Sequence, residues 1–502
     1  MDVIKLLQKR AEEFPSKPAV IARGNPVTFS QLRDTVFKLA DSLEKLGVKK
    51  GDAVAIYLPG CPEYMYSYLA VWCLGAVAVP LDYMLTGDEL ISCLGHSEAV
   101  LLIARPKPIV SFDTIKSQSP ALKDIVVCQA HESSLPLFES LLEHGTPALR
   151  VSSVSERDRA IIFYTSGTTG KPKGVIINYR QLGAPPESMG FFVGDLSSQD
   201  VALCALPFSH LGGLIYILNC IAFGMTFVLM ERFVPAEFLK NIQQYKVTCF
   251  WIVPSMYYAF LQLKEFESIG LSSLRWMVTF GASNSPDALR RFQQYCPKAH
   301  LLNGWGLTET NAPTTVIPRG SNKIESVGRP APWIDVKIFD DADKPLPAGS
   351  VGEVVVKSWV VTQGYFKDPE LTAETIKNGW FHTGDLGRLD AEGLLYIVGR
   401  KKEMIKVSGE IVFEPEVEAA IHKHPAIAEV AVIGVPDTLR GEIPKAFIVV
   451  KPQENTDGED LRQFCRQHLA HFKVPHYFEF VTELPKNRTG KIDKELLRRK
   501  GL

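Results

Sequence analysis

The chain has 502 residues, 46% hydrophobic and 22% charged, with a formal net charge of −1. That length exceeds one hydrophobic core and calls for two or more domains. The near-zero charge argues against nucleic acid or an anionic membrane surface as a partner. The nine cysteines, scattered without a C-x-x-C pair or a Cys/His cluster, argue against zinc sites and disulfides and for a reducing, cytoplasmic setting.

The amino terminus, Met1-Asp-Val-Ile-Lys, has no signal-peptide pattern. Apolar residues at 32, 36, 39, 40, 43 and 46 predict a helix over 30–46 with Gly47 as its C-cap. A strand is expected over 53–58, a buried helix over 64–74 and a strand over 76–80. Helix alternating with strand is the α/β pattern of a largely parallel sheet. Further β-prone runs lie at 99–104 and 124–128, and the mostly polar stretch 129–150, without a clear period, reads as a surface connection. Strands are expected at 160–163 and 175–177, on either side of Tyr164-Thr-Ser-Gly-Thr-Thr-Gly-Lys-Pro-Lys-Gly174. Another strand is expected over 200–206. The twenty residues 211–230 carry no charge and could span a bilayer by length. Their glycines, Asn219 and Thr226 favour instead a buried helix ending near Gly224 and a strand over 225–230. A helix at 235–245 and a strand at 247–253 follow. From Val327 onward, glycine, proline and alternating runs at 336–339, 352–357 and 394–398 predict a small β-barrel-like subdomain. Beyond the charged junction Arg400-Lys-Lys-Glu-Met-Ile-Lys, a helix at 415–422, strands at 427–435 and 443–450, and a helix at 459–471 make a compact α+β unit.

The eleven residues 164–174 hold three glycines, four Ser/Thr hydroxyls and two lysines. Glycines let backbone N–H groups turn toward an anion, and hydroxyls and ammonium groups supply further donors for phosphate oxygens. A Walker A loop is ruled out, because Gly170-Lys171 is followed by Pro172 where that motif needs Ser or Thr opening a helix. This stretch resembles the phosphate loop of the AMP-forming acyl-CoA synthetases, the adenylate-forming enzymes. Other segments carry the resemblance along essentially the whole chain. Leu206-Pro-Phe-Ser-His-Leu-Gly-Gly213 is similar to that family's P-x-x-H-x-x-G segment, Asn303-Gly-Trp-Gly-Leu-Thr-Glu-Thr310 to its aromatic-Gly-x-Thr-Glu motif, Thr383-Gly-Asp385 with Gly399-Arg400 to its ribose motif, and Pro485-Lys-Asn-Arg-Thr-Gly-Lys491 to its terminal P-K-x-x-x-G-K. Two departures stand out: Trp305 replaces the usual Tyr, and Pro415 comes one position later than usual.

The resemblance implies a fold and a division of labour. The fold is α/β: residues 1–399 form a large N-terminal domain with two α/β sheets and the β-barrel-like subdomain, residues 403–502 a small mobile α+β lid, and 400–402 the hinge. ATP or AMP would be held by Thr165, Ser166, Gly167, Thr168, Thr169 and Lys173 of the loop. It would also be held by Gly281, Ala282 and Ser283, by Asn303, Gly304, Trp305, Gly306, Leu307 and Thr308, and by Asp385 and Arg400 at the ribose. Glu309 would bind Mg²⁺, a hard cation that wants oxygen ligands. Lys491 would be the catalytic lysine of adenylation and Lys402 the pivot. His210 would stand beside the reacting carboxylate, with Ile215, Trp251, Gly281 and Trp305 around the acyl group. Ser408, Gly409 and Glu410 would line the coenzyme A channel.

The expected reaction joins a carboxylic acid to coenzyme A in two steps, through an acyl adenylate and pyrophosphate. A medium- or long-chain fatty acid is the first expectation, and a benzoate- or cyclohexanecarboxylate-type acid the alternative. A carrier-protein thiol could replace coenzyme A, although no carrier domain is fused here. A luciferase-like oxygenase has no sequence support, and a non-enzymatic acyl-nucleotide sensor would not need Lys491, Glu309 and Asp385 together. A homodimer is compatible with the sequence, and no transmembrane segment is expected.

Overall fold

A computed structural model describes the chain except residues 109–110, 130–133, 148–150, 166–171, 264–265, 267–268, 282–285, 409, 487–491 and 501–502. Two large sheets dominate the first 330 residues. The first runs Asp124–Val127, Leu101–Ala104, Ala53–Tyr57, Val77–Pro80, Arg159–Thr165 and Lys173–Asn178; its first five strands are parallel and the last pairs antiparallel to Arg159–Thr165. The second has nine strands. Its parallel centre is His300–Trp305, Trp276–Thr279, Cys249–Ile252, Val201–Cys204, Thr226–Leu229 and Pro18–Ala22, flanked by short antiparallel strands at both edges.

Helices Phe29–Lys45, Pro62–Cys73 and Leu211–Phe223 share one apolar core with both sheets. Every residue from Tyr64 to Cys73 is buried, as are those from Gly213 to Ile221. A helix that is apolar all round needs cover on every side, and two sheets supply it without a membrane. This explains the uncharged run 211–230: the helix ends at Phe223, Gly224 caps it at φ +68°, and Thr226–Leu229 enters the second sheet. Among the described residues no helix is long and apolar enough to cross a membrane. Polar edges inside this core find partners: the Tyr68 hydroxyl donates to the Phe208 carbonyl at 2.8 Å and the Trp72 indole N–H to Ala160 at 3.1 Å.

The stretch 129–150 departs from expectation. Phe138–His144 is a helix; Phe138 is fully buried, and Ser42 donates to the Leu141 carbonyl at 2.7 Å. Seven residues make two turns, too few to show a period, and one aromatic side chain supplies the anchor. All nine cysteines are buried.

The β-rich region is an antiparallel sheet of five strands. Asp335–Phe339 and Gly352–Lys357 stand beside the long strand Trp380–Leu389, which also pairs with Ile376–Lys377 and Leu395–Arg400. Immediately after Arg400 the chain makes a short turn, Lys401–Glu403, and enters a different sheet. That sheet contains Glu410–Phe413, Met404–Val407, Gly441–Val450, Ile427–Asp437 and Tyr477–Phe480, covered by helices Glu414–Ile421 and Gly458–His468. Among the described residues, the ion pairs formed beyond Glu403 all stay within that segment.

Candidate active site

In an open parallel sheet the loops at the carboxyl ends of the strands converge on one crevice. Here Asp82 follows Val77–Pro80, the glycine loop follows Arg159–Thr165, His210 follows Val201–Cys204, Gly281 follows Trp276–Thr279, and Trp305 closes His300–Trp305. The topology thus gathers residues from both sheets.

Thr165 and Lys173 face each other as the last register pair of the loop's two strands. Ser166, Gly167, Thr168 and Thr169 lie outside the described residues, as do Ala282 and Ser283. Just below the loop, the Tyr164 hydroxyl meets His96 Nδ1 at 2.8 Å. Burial, with Lys367 nearby, holds His96 below the usual histidine range, so the ring is neutral there. Gly281 sits at φ +92°, a conformation that costs other residues strain.

Asp385 stands on the strand Trp380–Leu389. Only 3% exposed, it receives the Trp305 indole N–H at 2.8 Å on Oδ2 and faces Arg400 Nε at 2.8 Å on Oδ1. Asp385 and Arg400 are register partners on adjacent strands, so the backbone itself sets their separation. Its own N–H donates to Thr383 Oγ1 at 3.0 Å. The replacement of Tyr by Trp at 305 thereby gains a reason: the indole is buried at 8% exposure and its N–H orients the carboxylate.

Glu309 lies in a short turn, Thr308–Thr310, that follows Leu307 and ends on Asn311 at φ +50°. Gly306 lets this turn close, since a Cβ there would stand 2.6 Å from the Ala312 carbonyl. Asn303, one strand position before Gly304, donates from Nδ2 to the Ser326 carbonyl at 2.9 Å. The Glu309 carbonyl accepts from Thr362 N at 2.7 Å and its carboxylate from the Tyr365 hydroxyl at 3.0 Å. Burial, with Glu309's charge beside it, pushes the Tyr365 phenol well up, so it remains a donor. Gln181 ties the same turn to the first sheet: its Nε2 donates to the Val361 carbonyl at 2.6 Å, and its own carbonyl accepts from Asn311 at 2.7 Å. A cavity of about 380 Å³ opens between Leu307, Glu309, Tyr365, Thr383, Gly384 and Arg400.

At the other side, His210 Nε2 meets Asp82 Oδ2 at 3.3 Å, a contact joining the two sheets. Ile215 and Trp251 are completely enclosed. The Trp251 ring stacks on Tyr216 at 3.9 Å and on Trp276 at 5.7 Å, and its N–H donates to the Gly212 carbonyl at 3.2 Å. Lys402 is exposed, whereas its neighbour Lys401 pairs with Asp341 at 3.0 Å and Glu353 at 3.5 Å. Ser408 adopts φ +52° and its N–H donates to Arg440 at 2.8 Å; Glu410 opens the next strand, and Gly409 lies outside the described residues. Lys491 lies outside the described residues too. Lys486 pairs with Glu429 at 2.8 Å, and Lys494 with Glu414 at 3.0 Å and Glu418 at 2.7 Å. Burial opposes the Lys494 charge, but Glu418 and Glu414 outweigh it and lift the ammonium to about 12.

Asp82, Gln181 and Tyr365 escaped sequence reading. Each acts through a partner distant in the chain, and only the Asp before a turn or the Tyr after Gly364 gave any local hint.

The profile described as "AMP-binding enzyme" matches residues 7–366, and "AMP-binding enzyme C-terminal domain" matches residues 416–491. The chain belongs to the AMP-binding enzymes. It is similar to a long-chain-fatty-acid–CoA ligase of Bacillus subtilis, at 33% identity over 97% of this chain and 92% of that one. It is equally similar to a feruloyl-CoA synthase of Amycolatopsis, at 33% over 98% and 97%. A solved anthranilate CoA ligase in complex with anthranoyl-AMP superposes with a TM-score of 0.91 at 28% identity, over 99% and 96%. The chain is therefore an AMP-forming acyl-CoA synthetase, an acid–thiol ligase that uses ATP, Mg²⁺ and coenzyme A.

For such a ligase the residues present fit magnesium. Among the described residues no cluster of three or more His, Cys, Asp or Glu could hold a metal alone. Mg²⁺ commonly takes one or two carboxylates and completes its shell with substrate phosphates and water. Glu309, on the wall of the cleft with one oxygen held by Tyr365, suits that arrangement.

Proposed function

We propose that this AMP-forming ligase acts on a compact cyclic or aromatic acid, the alternative of the sequence reading, rather than on a long fatty chain. One observation carries the choice: the Trp251 indole, stacked between Tyr216 and Trp276, lies against the first turn of helix Leu211–Phe223. All three rings are buried, so they close the space beneath that turn and favour a short, compact acid. A long flexible chain would need this enclosed wall, with Ile215 beside it, to open.

The chemistry follows in two steps. A carboxylate oxygen attacks the α-phosphorus of ATP as the bond to pyrophosphate breaks. His210, held by Asp82, stands beside the acid. Trp305 and Arg400 hold Asp385 toward the ribose hydroxyls. Magnesium at Glu309 would neutralise charge on the phosphates. Lys491, carried on the segment that Lys486 and Lys494 anchor, places a cation where charge builds. The unit 403–502 then turns about Lys402, Lys491 leaves, and Ser408–Glu410 line the path of coenzyme A. Its sulfur attacks the acyl carbon, the bond to phosphate breaks, AMP departs and the thiol proton is released. The absence of cross-links between that unit and residues 1–402, among the ion pairs described, is what such a turn requires.

The test is coenzyme A-dependent AMP release across a panel of acids. Benzoate- and cinnamate-type acids are expected to exceed decanoate and hexadecanoate in kcat/KM by at least tenfold. Equal or higher values for the long saturated acids overturn the proposal.

A further inference from the structure

Helix Leu211–Phe223 contains one side-chain amide, Asn219, and it is unusual. It is fully buried, and neither its Oδ1 nor its Nδ2 has a partner among the described residues. Other polar groups of the same helix are satisfied. The Tyr216 hydroxyl reaches the carbonyls of Leu203 and Trp251, each at 2.8 Å, and accepts from Trp251 N at 2.9 Å; the Cys220 thiol reaches Ala19 at 3.5 Å. A buried amide without partners costs free energy, so its presence in a well-satisfied helix points to a partner that comes and goes.

Position identifies that partner. Gly212, Ile215 and Asn219 recur at a spacing that places them on one face of the helix. Gly212 is half-buried, two residues after the N-cap His210, and its carbonyl accepts from the Trp251 indole N–H. Asn219 lies nine residues past His210, about 13 Å along the axis. Tyr216 of this helix stacks on Trp251 and Trp251 on Trp276, whose indole Nε1 is also buried without a partner among the described residues.

We infer that Asn219 is the polar floor of the acid site and reads an oxygen, a hydroxyl or carbonyl, carried by the acid roughly 10 Å from its carboxylate. The amide offers one acceptor and two donors, so it can serve either group. This rests on the reading that the face bearing Ile215 lines the acid site, and it narrows the substrate class to oxygenated acids.

The experiment uses the full-length enzyme and two matched pairs of acids, 4-hydroxycinnamate with cinnamate and 10-hydroxydecanoate with decanoate. The oxygenated member of at least one pair is expected to lead by tenfold or more in kcat/KM. In Asn219→Leu that ratio falls below threefold. Asn219→Ala gives the same readout should the leucine variant fail to fold. Ratios near one in both pairs for the native enzyme, or a ratio that either folded variant leaves intact, overturn the inference. The two readings fail separately: a preference for long saturated acids sinks the compact acid, while indifference to the distal oxygen sinks only Asn219's role.

Discussion

The proposed nucleotide end of the cleft and the proposed acid end are built in opposite ways. At the nucleotide end the functional groups are polar and already engaged: Asp385 with Trp305 and Arg400, Glu309 with Tyr365. At the acid end stand three stacked rings and a buried amide with no partner among the described residues. On the proposed reading the first end would fix charge for a ligand whose chemistry does not vary, and preorganisation lowers the cost of binding it. The second end would fix shape, so that a change of one side chain there would change which acid fits.

Substitutions can break this contrast. The largest effect is expected at Trp251→Ala, which removes the central ring of the stack. Truncating a buried tryptophan should cost about 3–5 kcal/mol of stability. Chemical denaturation will measure that loss, and acid profiling of the folded fraction should show a shift toward longer acids. An unchanged acid profile would detach the stack from specificity. At the polar end, Lys491→Ala should slow ATP–pyrophosphate exchange by roughly 10²–10³-fold while the protein stays folded. Exchange at the native rate would remove that lysine from adenylation.

A smaller change tests how Asp385 is held. Trp305→Phe keeps a ring but removes the N–H, and a hydrogen bond to a charged group is worth about 1.5–3 kcal/mol. The KM for ATP should rise roughly tenfold, with melting temperature and acid preference little altered. Should acid preference move instead, the indole belongs to the other end. The smallest expected effect concerns His96 under the glycine loop. Its proton affinity in the folded protein lies below the ordinary value near 6.5. As pH falls through that value the unfolded chain takes up the proton first, so stability is complete above it and declines below it. His96→Gln should flatten the drop in melting temperature between pH 7.5 and 5.5 by about 1 °C; a steeper drop would contradict a neutral, buried ring.

The two ends also differed in how far sequence reached. The glycine loop, Glu309, Asp385 and Arg400 sit in short segments whose residue types suggest their chemistry, and the two strands expected on either side of the loop are present. The acid end is written in ordinary apolar residues. Ile215 and Trp251 could be named from the sequence, but nothing local distinguishes a pocket wall from a core, and both are fully enclosed. The helix Phe138–His144 was missed for a related reason, because one buried aromatic residue leaves no periodic trace.

By itself the sequence determined the alternation of helix and strand, the break at Gly224, the change of texture near Val327 and the polar motifs, because each is encoded within a few neighbouring residues. Only the tertiary structure decided that Asp82 meets His210, that Tyr365 holds Glu309 and that Trp305 spends its N–H on Asp385. Those contacts join residues 56 to 128 positions apart. Contacts at such separations arise from how strands are ordered in a sheet, and local propensity is blind to that order.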